Sequence, residues 1–151
     1  MIWHLHKMKE IKASLSQLDT VVSYLKKRLP RDTILFLSGD LASGKTTLTQ
    51  AIAKAKGIES DVTSPTFSLQ QCYLCADGGS LYHYDLYRLE YEEFMQMGLF
   101  EEFEKEGWHI IEWGGERLKT FLGSVGYHVQ SIDIISSENS RIYRIETSCI
   151  H

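Results

Sequence analysis

The apolar run Ile34-Leu35-Phe36-Leu37 leads almost directly into Gly39-Asp40-Leu41-Ala42-Ser43-Gly44-Lys45-Thr46, which has the spacing G-x-x-x-x-G-K-[ST] of a phosphate-binding loop. Such a loop must point several backbone N–H groups at one anion, and glycine supplies the φ values and close approach this needs. Lys45 then reaches the β and γ phosphates, and Thr46 offers its hydroxyl to Mg²⁺ one residue later. The helix that starts here adds the positive end of its dipole. Thr47 to Lys56, closed by Gly57, reads as that helix. A chance match in a chain of this composition has a probability on the order of one in a hundred, and the flanking strand and helix lower it further. The loop therefore fixes a buried strand, a turn and a helix in immediate succession.

Composition sets the limits around that unit. A chain of 151 residues is most simply one domain, residues 1–151, able to bury roughly 68 to 70% of its unfolded surface. A hydrophobic fraction of 43% and a charged fraction of 24% are those of a soluble globular protein. No run is long and apolar enough for a bilayer, and Met1 to Glu10 lacks the pattern of a signal peptide, so the expected place is the cytoplasm, without a membrane. The net charge of −4 argues against a protein that grips nucleic acid unaided, because that requires a basic face to displace counterions. Any RNA role would run through a partner. Cys72-x-x-Cys75 could suggest a metal or redox pair, but only Cys149 remains as a third thiol and no helix start is expected at the pair. Reduced, structural cysteines are the expectation.

Along the chain, Leu18, Val21, Val22, Leu25 and Leu29 recur at helical spacing within residues 14–29, with Ser16 and Asp19 placed as a capping box and Pro30 as the stop. Ser68 to Leu74 and Ser80 to Tyr87 read as a hairpin around Ala76-Asp77-Gly78-Gly79. Glu90 to Phe103 reads as helical with a break at Gly98, and Trp108 to Trp113 as a short buried strand. Glu116 to Leu122 suits a short helix, and Val125 to Ile135 with Arg141 to Thr147 a closing hairpin around residues 137–140.

A nucleotide-hydrolysing site needs an acid near Mg²⁺ and a group that positions water. Asp85 sits late in Tyr82-His83-Tyr84-Asp85-Leu86-Tyr87-Arg88, and Glu112 ends the run Ile110-Ile111; each suits the carboxyl edge of a sheet, where α/β folds place ligands. The plainer alternatives are a turn role for Asp85 and a surface position for Glu112. Thr63, Ser64 and Thr66 surround Pro65 where a γ-phosphate-sensing segment would lie, although the same residues would also make an ordinary polar turn. His83 is a second-rank acid or base, more simply a satisfied structural histidine. Arg88 could neutralise phosphate or pair with a nearby Glu.

Taken together, Gly39-Asp40-Leu41 leading into Gly44-Lys45-Thr46-Thr47, Thr63-Ser64-Pro65-Thr66-Phe67, His83-Tyr84-Asp85-Leu86-Tyr87-Arg88 and Ile111-Glu112-Trp113 resemble in order and spacing the TsaE (YjeE) family, the ATPase subunit of bacterial threonylcarbamoyladenosine tRNA modification. The resemblance runs from about Ser14 to the end and is strongest between Ile34 and Trp113. It implies an α/β fold with a P-loop NTPase-like sheet, flanking helices and antiparallel hairpins, binding ATP and Mg²⁺. It also implies work beside the TsaB and TsaD proteins, which transfer a threonylcarbamoyl group to the adenosine next to the anticodon, with tRNA met only through that complex. Hydrolysis would reset the complex between turnovers, slowly without the partners. Carried over, Leu41, Ala42, Ser43, Gly44, Lys45, Thr46 and Thr47 would wrap the phosphates, Thr46 and Glu112 would hold Mg²⁺, Asp85 would support catalysis or the metal's outer shell, and Thr66 would belong to the switch. Leu15 or Ser16 would contact adenine.

The chain departs from the family pattern at Ala42-Ser43, where Gly-Ala is usual, and at Gly114-Gly115-Glu116, which makes Glu116 a rival to Glu112. Two other readings stand beside the ATPase. A small-molecule kinase would want an arginine-rich lid, and the six arginines are not clustered. A nucleotide-dependent binding module would need only the loop. Lys45 is expected to face solvent when no nucleotide is bound.

Overall fold

The computed structural model describes residues 4–40, 44–63 and 69–150. Its order is β1 (His4–Ala13), α1 (Leu18–Arg28), β2 (Thr33–Ser38), α2 (Lys45–Ala55), β3 (Gln70–Leu74), β4 (Ser80–Asp85), α3 (Tyr91–Gln96), β5 (Trp108–Glu112), α4 (Gly115–Ser124), β6 (Val129–Ser136) and β7 (Arg141–Ile150). Short 3-10 turns at Leu15–Gln17 and Leu99–Glu104 precede α1 and follow α3.

The seven strands form one sheet in the order β1-β7-β6-β2-β5-β4-β3. Its centre, β6-β2-β5-β4, is parallel, and the pairs β1–β7, β6–β7 and β3–β4 are antiparallel. β2 and β5 are buried along most or all of their length, as strands covered on both faces must be. Alternation along them divides the core in two. Leu35, Leu37, Leu81, Ile110 and Ile132 face Leu18, Val21 and Leu25 of α1 and Leu48 and Ile52 of α2. Ile34, Phe36, Tyr82, Tyr84 and Ile111 face Phe94 of α3, Phe103, and Leu118 and Leu122 of α4. The α/β class with flanking helices and antiparallel hairpins is as expected.

Several boundaries differ from the expectation for local physical reasons. β1 was not expected at all: it lies at the sheet edge, paired with β7 from His4↔Ile150 to Ala13↔Arg141, and of residues 8–13 only Ala13 is fully buried. A strand held by backbone pairing with one strand carries little apolar alternation. α1 starts at Leu18 rather than near Ser14, and its entry is tied by Gln17 Oε1, which accepts the Ser14 N–H at 3.1 Å, not by a Ser16–Asp19 pair. β4 ends at Asp85, because Asp85 Oδ1 turns to accept the Tyr87 N–H at 3.1 Å. β6 begins only at Val129, since α4 extends to Ser124 and residues 125–128 close its end through Val125 N–H to Phe121 O. The break at Gly98 is where expected, with φ of 72°, but a 3-10 turn follows it. Among the described residues, no helix is long and apolar enough to cross a membrane.

Candidate functional site

Parallel pairing brings three strand ends to one edge. Leu37 lies opposite Glu112 in the β2–β5 pair, and Asp85 lies opposite Glu112 in the β4–β5 pair. The loop that leaves Ser38 therefore emerges beside both carboxylates. Its departure is fastened by Ser38 Oγ, which donates to Asp133 Oδ1 of the adjacent strand β6.

α2 begins at this edge. Gly44 takes φ of 102°, a left-handed value that glycine adopts without a Cβ penalty, and its carbonyl accepts the Leu48 N–H at 2.9 Å. The helix then sends Lys45, Leu48, Thr49, Ile52 and Ala53 inward. It closes on Gly57, φ 76°, with Ile58 N–H reaching Ala53 O at 3.0 Å.

Lys45 does not face solvent, contrary to expectation; it is 4% exposed. Its Nζ donates to Gly39 O at 2.6 Å and Asp40 O at 3.0 Å and stands 4.0 Å from the centre of the Trp113 ring. A cation at the inside of a tight bend meets its own loop's carbonyls and an aromatic face before it meets water. Burial pushes this ammonium below the ordinary lysine range, against the opposing pull of Glu112, Asp40 and Asp85. Trp113 itself has φ of 61°, uncommon for a bulky residue, and meets the Tyr87 ring edge-on at 5.0 Å. Gly114 next to it cannot carry a side chain, since a Cβ there would lie 2.4 Å from the Phe36 ring.

Glu112 is 3% exposed and central. Thr46 Oγ1 lies 3.4 Å from each of its carboxylate oxygens. On its other side Oε2 receives Nε2–H of the fully buried His83, which leaves His83 Nδ1 buried without a hydrogen-bond partner. His83 is thus neither remote nor fully satisfied; one nitrogen holds the central acid. One hydroxyl and one carboxylate facing each other are hard oxygen donors of the kind Mg²⁺ takes alongside phosphate oxygens and water. Among the described residues no group of three or more His, Cys, Asp or Glu could hold a metal alone, so the donors fit a cation shared with a ligand rather than an all-protein cage.

The remaining predicted residues are distributed unevenly. Thr47 is half-buried in the first turn of α2. Leu41, Ala42, Ser43 and Thr66 lie outside the described residues, as do Ser64 and Pro65. Arg88 is exposed in the turn after β4, and Glu116 points to solvent and approaches Lys119 at 3.9 Å, so neither joins the cluster. Leu15 and Ser16 are exposed, and Leu15 lines a cleft of about 240 Å³ beside the β6–β7 turn. Cys72 and Cys75 are free, one exposed and one buried, and burial pushes the Cys75 thiol up, opposed by Lys56. Sequence reasoning gave no site role to Trp113, for which the Trp-Gly-Gly step after a buried strand was the available signal.

The TsaE model, described as threonylcarbamoyl adenosine biosynthesis protein TsaE, matches residues 12–144. The chain belongs to the TsaE family. Similar proteins named tRNA threonylcarbamoyladenosine biosynthesis protein TsaE include one of Haemophilus influenzae, 40% identical over 59% of this chain and 56% of its own length. One of Bacillus subtilis is 44% identical over 53% of this chain and 49% of its own length. One of Rickettsia felis is 36% identical over 82% of this chain and 71% of its own length. The matched segments thus span about half the length of the first two relatives. The crystal structure of YdiB from B. subtilis superposes with a TM-score of 0.64 at 25% identity, covering 97% of this chain and 87% of that one. The family's name places TsaE proteins in the biosynthesis of a modified tRNA nucleoside.

Proposed function

We propose that this chain is a single-domain, Mg²⁺-dependent ATPase that acts in the cytoplasm on the TsaB–TsaD complex during threonylcarbamoyl modification of the adenosine next to the tRNA anticodon. The observation that carries the reading is the convergence of Lys45, Thr46, Glu112 and Asp85 on the edge where α2 begins. Residues 41–47 wrap the triphosphate, and Lys45 exchanges the carbonyls of Gly39 and Asp40 for phosphate oxygens, a stronger charge-assisted partner. Thr46 and Glu112 hold Mg²⁺, which when bound neutralises charge on the β and γ oxygens. His83 fixes the Glu112 carboxylate from behind. Asp85, beside Glu112 in register, orients the attacking water or the metal's outer shell, and Thr66 belongs to the segment that senses the γ-phosphate. A net charge of −4 supports contact with tRNA only through the protein partners.

ATP turnover by the purified protein, alone and with the TsaB and TsaD proteins, tests the reading. Slow hydrolysis that the pair stimulates is expected, with Lys45→Ala abolishing ATP binding in a folded protein. Tight ATP binding without turnover in either condition would replace the ATPase by a nucleotide-dependent binding module. Unchanged ATP affinity in Lys45→Ala would remove the phosphate-loop assignment altogether.

A further inference from the structure

The phosphate loop is flanked by a second cation that the motif does not contain. β6 runs parallel to β2 with Asp133 opposite Ser38, so its end lies beside the start of the loop. The chain then turns back, Ser137 N–H to Ser140 O at 3.0 Å, and β7 opens with Arg141 between Ser136 of β6 and Ala13 of β1. From there the guanidinium lies across Gly44: an ideal Cβ on Gly44 would stand 2.2 Å from Arg141 Nη1 and 2.6 Å from its Cζ. Nη1 is buried and has no hydrogen-bond partner. The contrast within the strand is direct, because Arg144 donates from Nε to Glu10 at 2.8 Å. A buried guanidinium nitrogen without an acceptor is costly to retain unless an acceptor arrives. The place it occupies is beside Gly44, the last glycine of the G-x-x-x-x-G-K-[ST] spacing, and loops of that spacing bind anions through backbone N–H groups.

We infer that Arg141 is a phosphate-binding residue of the nucleotide site, delivered from the β6–β7 hairpin rather than from the loop, and that its buried N–H donates to a phosphate oxygen of the bound nucleotide. This rests on the nucleotide reading above. It also gives Gly44 a second reason to be glycine, since a Cβ would occupy the guanidinium's position besides straining φ. Arginine is the suited residue, because its planar fork keeps its donors fixed and its charge permanent.

The test is a titration with Mg²⁺-ATP and Mg²⁺-ADP of wild type, Arg141→Gln, Arg141→Lys, Arg144→Gln and Lys45→Ala, each checked for folding by thermal melting. Arg141→Gln is expected to lose affinity for both nucleotides by on the order of 10-fold or more, the effect of one charge-assisted hydrogen bond. Arg141→Lys should recover only part of it, and Arg144→Gln should bind as wild type. Wild-type affinity in Arg141→Gln while Lys45→Ala loses binding overturns this inference alone. Equal losses in Arg141→Gln and Arg144→Gln also overturn it, because the effect would then belong to the strand. Should Arg141→Gln fail to fold, full affinity in Arg141→Lys counts against the inference and a partial loss supports it. No binding by the wild type would remove the nucleotide reading and this inference with it.

Discussion

Two buried histidines on neighbouring strands, His109 and His83, show how differently this sheet uses its two ends. His109 has both ring nitrogens engaged: Nδ1 accepts from Tyr84 O–H at 2.6 Å and Nε2–H donates to Lys105 O at 2.7 Å. Gln70 Nε2 in turn donates to the Tyr84 hydroxyl at 3.2 Å, and the rings of Tyr82 and His109 stack at 4.5 Å. His83, from the opposite face of the sheet and nearer the strand ends, has Nε2 on Glu112 and Nδ1 unpartnered. A closed polar chain stiffens a core, whereas polar atoms left open at one edge are what a ligand can use. The unpartnered Nη1 of Arg141 lies beside Gly44, and His83 is held on Glu112 at the same strand ends, whereas the closed network ties β4 and β5 to the segment that precedes β5.

That contrast is broken most readily at Glu112. Glu112→Gln keeps the shape but removes the charge, and is expected to lower Mg²⁺-ATP affinity and partner-stimulated turnover together, by on the order of 10- to 100-fold. Asp85→Asn should lower turnover by more than it lowers affinity, because a water-orienting group acts mainly in the transition state. Loss of metal-dependent binding in Asp85→Asn with Glu112→Gln unaffected would reverse the two roles.

The histidines themselves sharpen it. His109→Phe strands the Tyr84 hydroxyl and the Lys105 carbonyl, and should cost about 2 to 4 kcal/mol in urea unfolding while leaving ATP affinity at the wild-type value. His83→Gln should cost about 1 kcal/mol or less, yet shift the Mg²⁺ concentration needed for ATP binding by on the order of 10-fold through Glu112. The opposite pattern, stability moving with His83 and metal dependence with His109, would end the division between a structural and a functional end.

The smallest effect is on pH. Burial pushes the His109 imidazole below its ordinary range, opposed by its bond to Lys105 O and by Glu102. The unfolded chain, with a pKa of about 6.5, then takes the proton first. His109 therefore contributes stability that is present above about pH 6.5 and lost as pH falls toward its folded value, with a slope of up to about 1.4 kcal/mol per pH unit. Urea unfolding at pH 7.5 and 5.5 should show wild type losing more stability than His109→Gln; equal losses would show that the ring accepts its proton in the folded state.

The strand and the helix on either side of the Gly39–Gly44 turn, and the strand-end positions of Asp85 and Glu112, were legible in the sequence because each is local. Ile34 to Leu37 and the run after Gly44 each carry their own strand or helix pattern, and an acid at the end of an apolar run, as at Glu112, implies a strand end. β1 was not legible, since an exposed edge strand is specified by its partner β7 more than by its own pattern. Lys45 faces inward rather than to solvent because it folds back on the Gly39 and Asp40 carbonyls and meets the Trp113 ring, which only the placement of β5 brings there.

The sequence alone determined the strand–loop–helix unit, the α/β class and the resemblance to TsaE, all carried by short-range spacing and side-chain chemistry. Only the tertiary structure decided which groups meet: Asp85 beside Glu112, His83 behind it, Trp113 over Lys45, Arg141 across Gly44. Those encounters follow from strand order and register, which depend on the packing of the whole sheet between its two apolar layers.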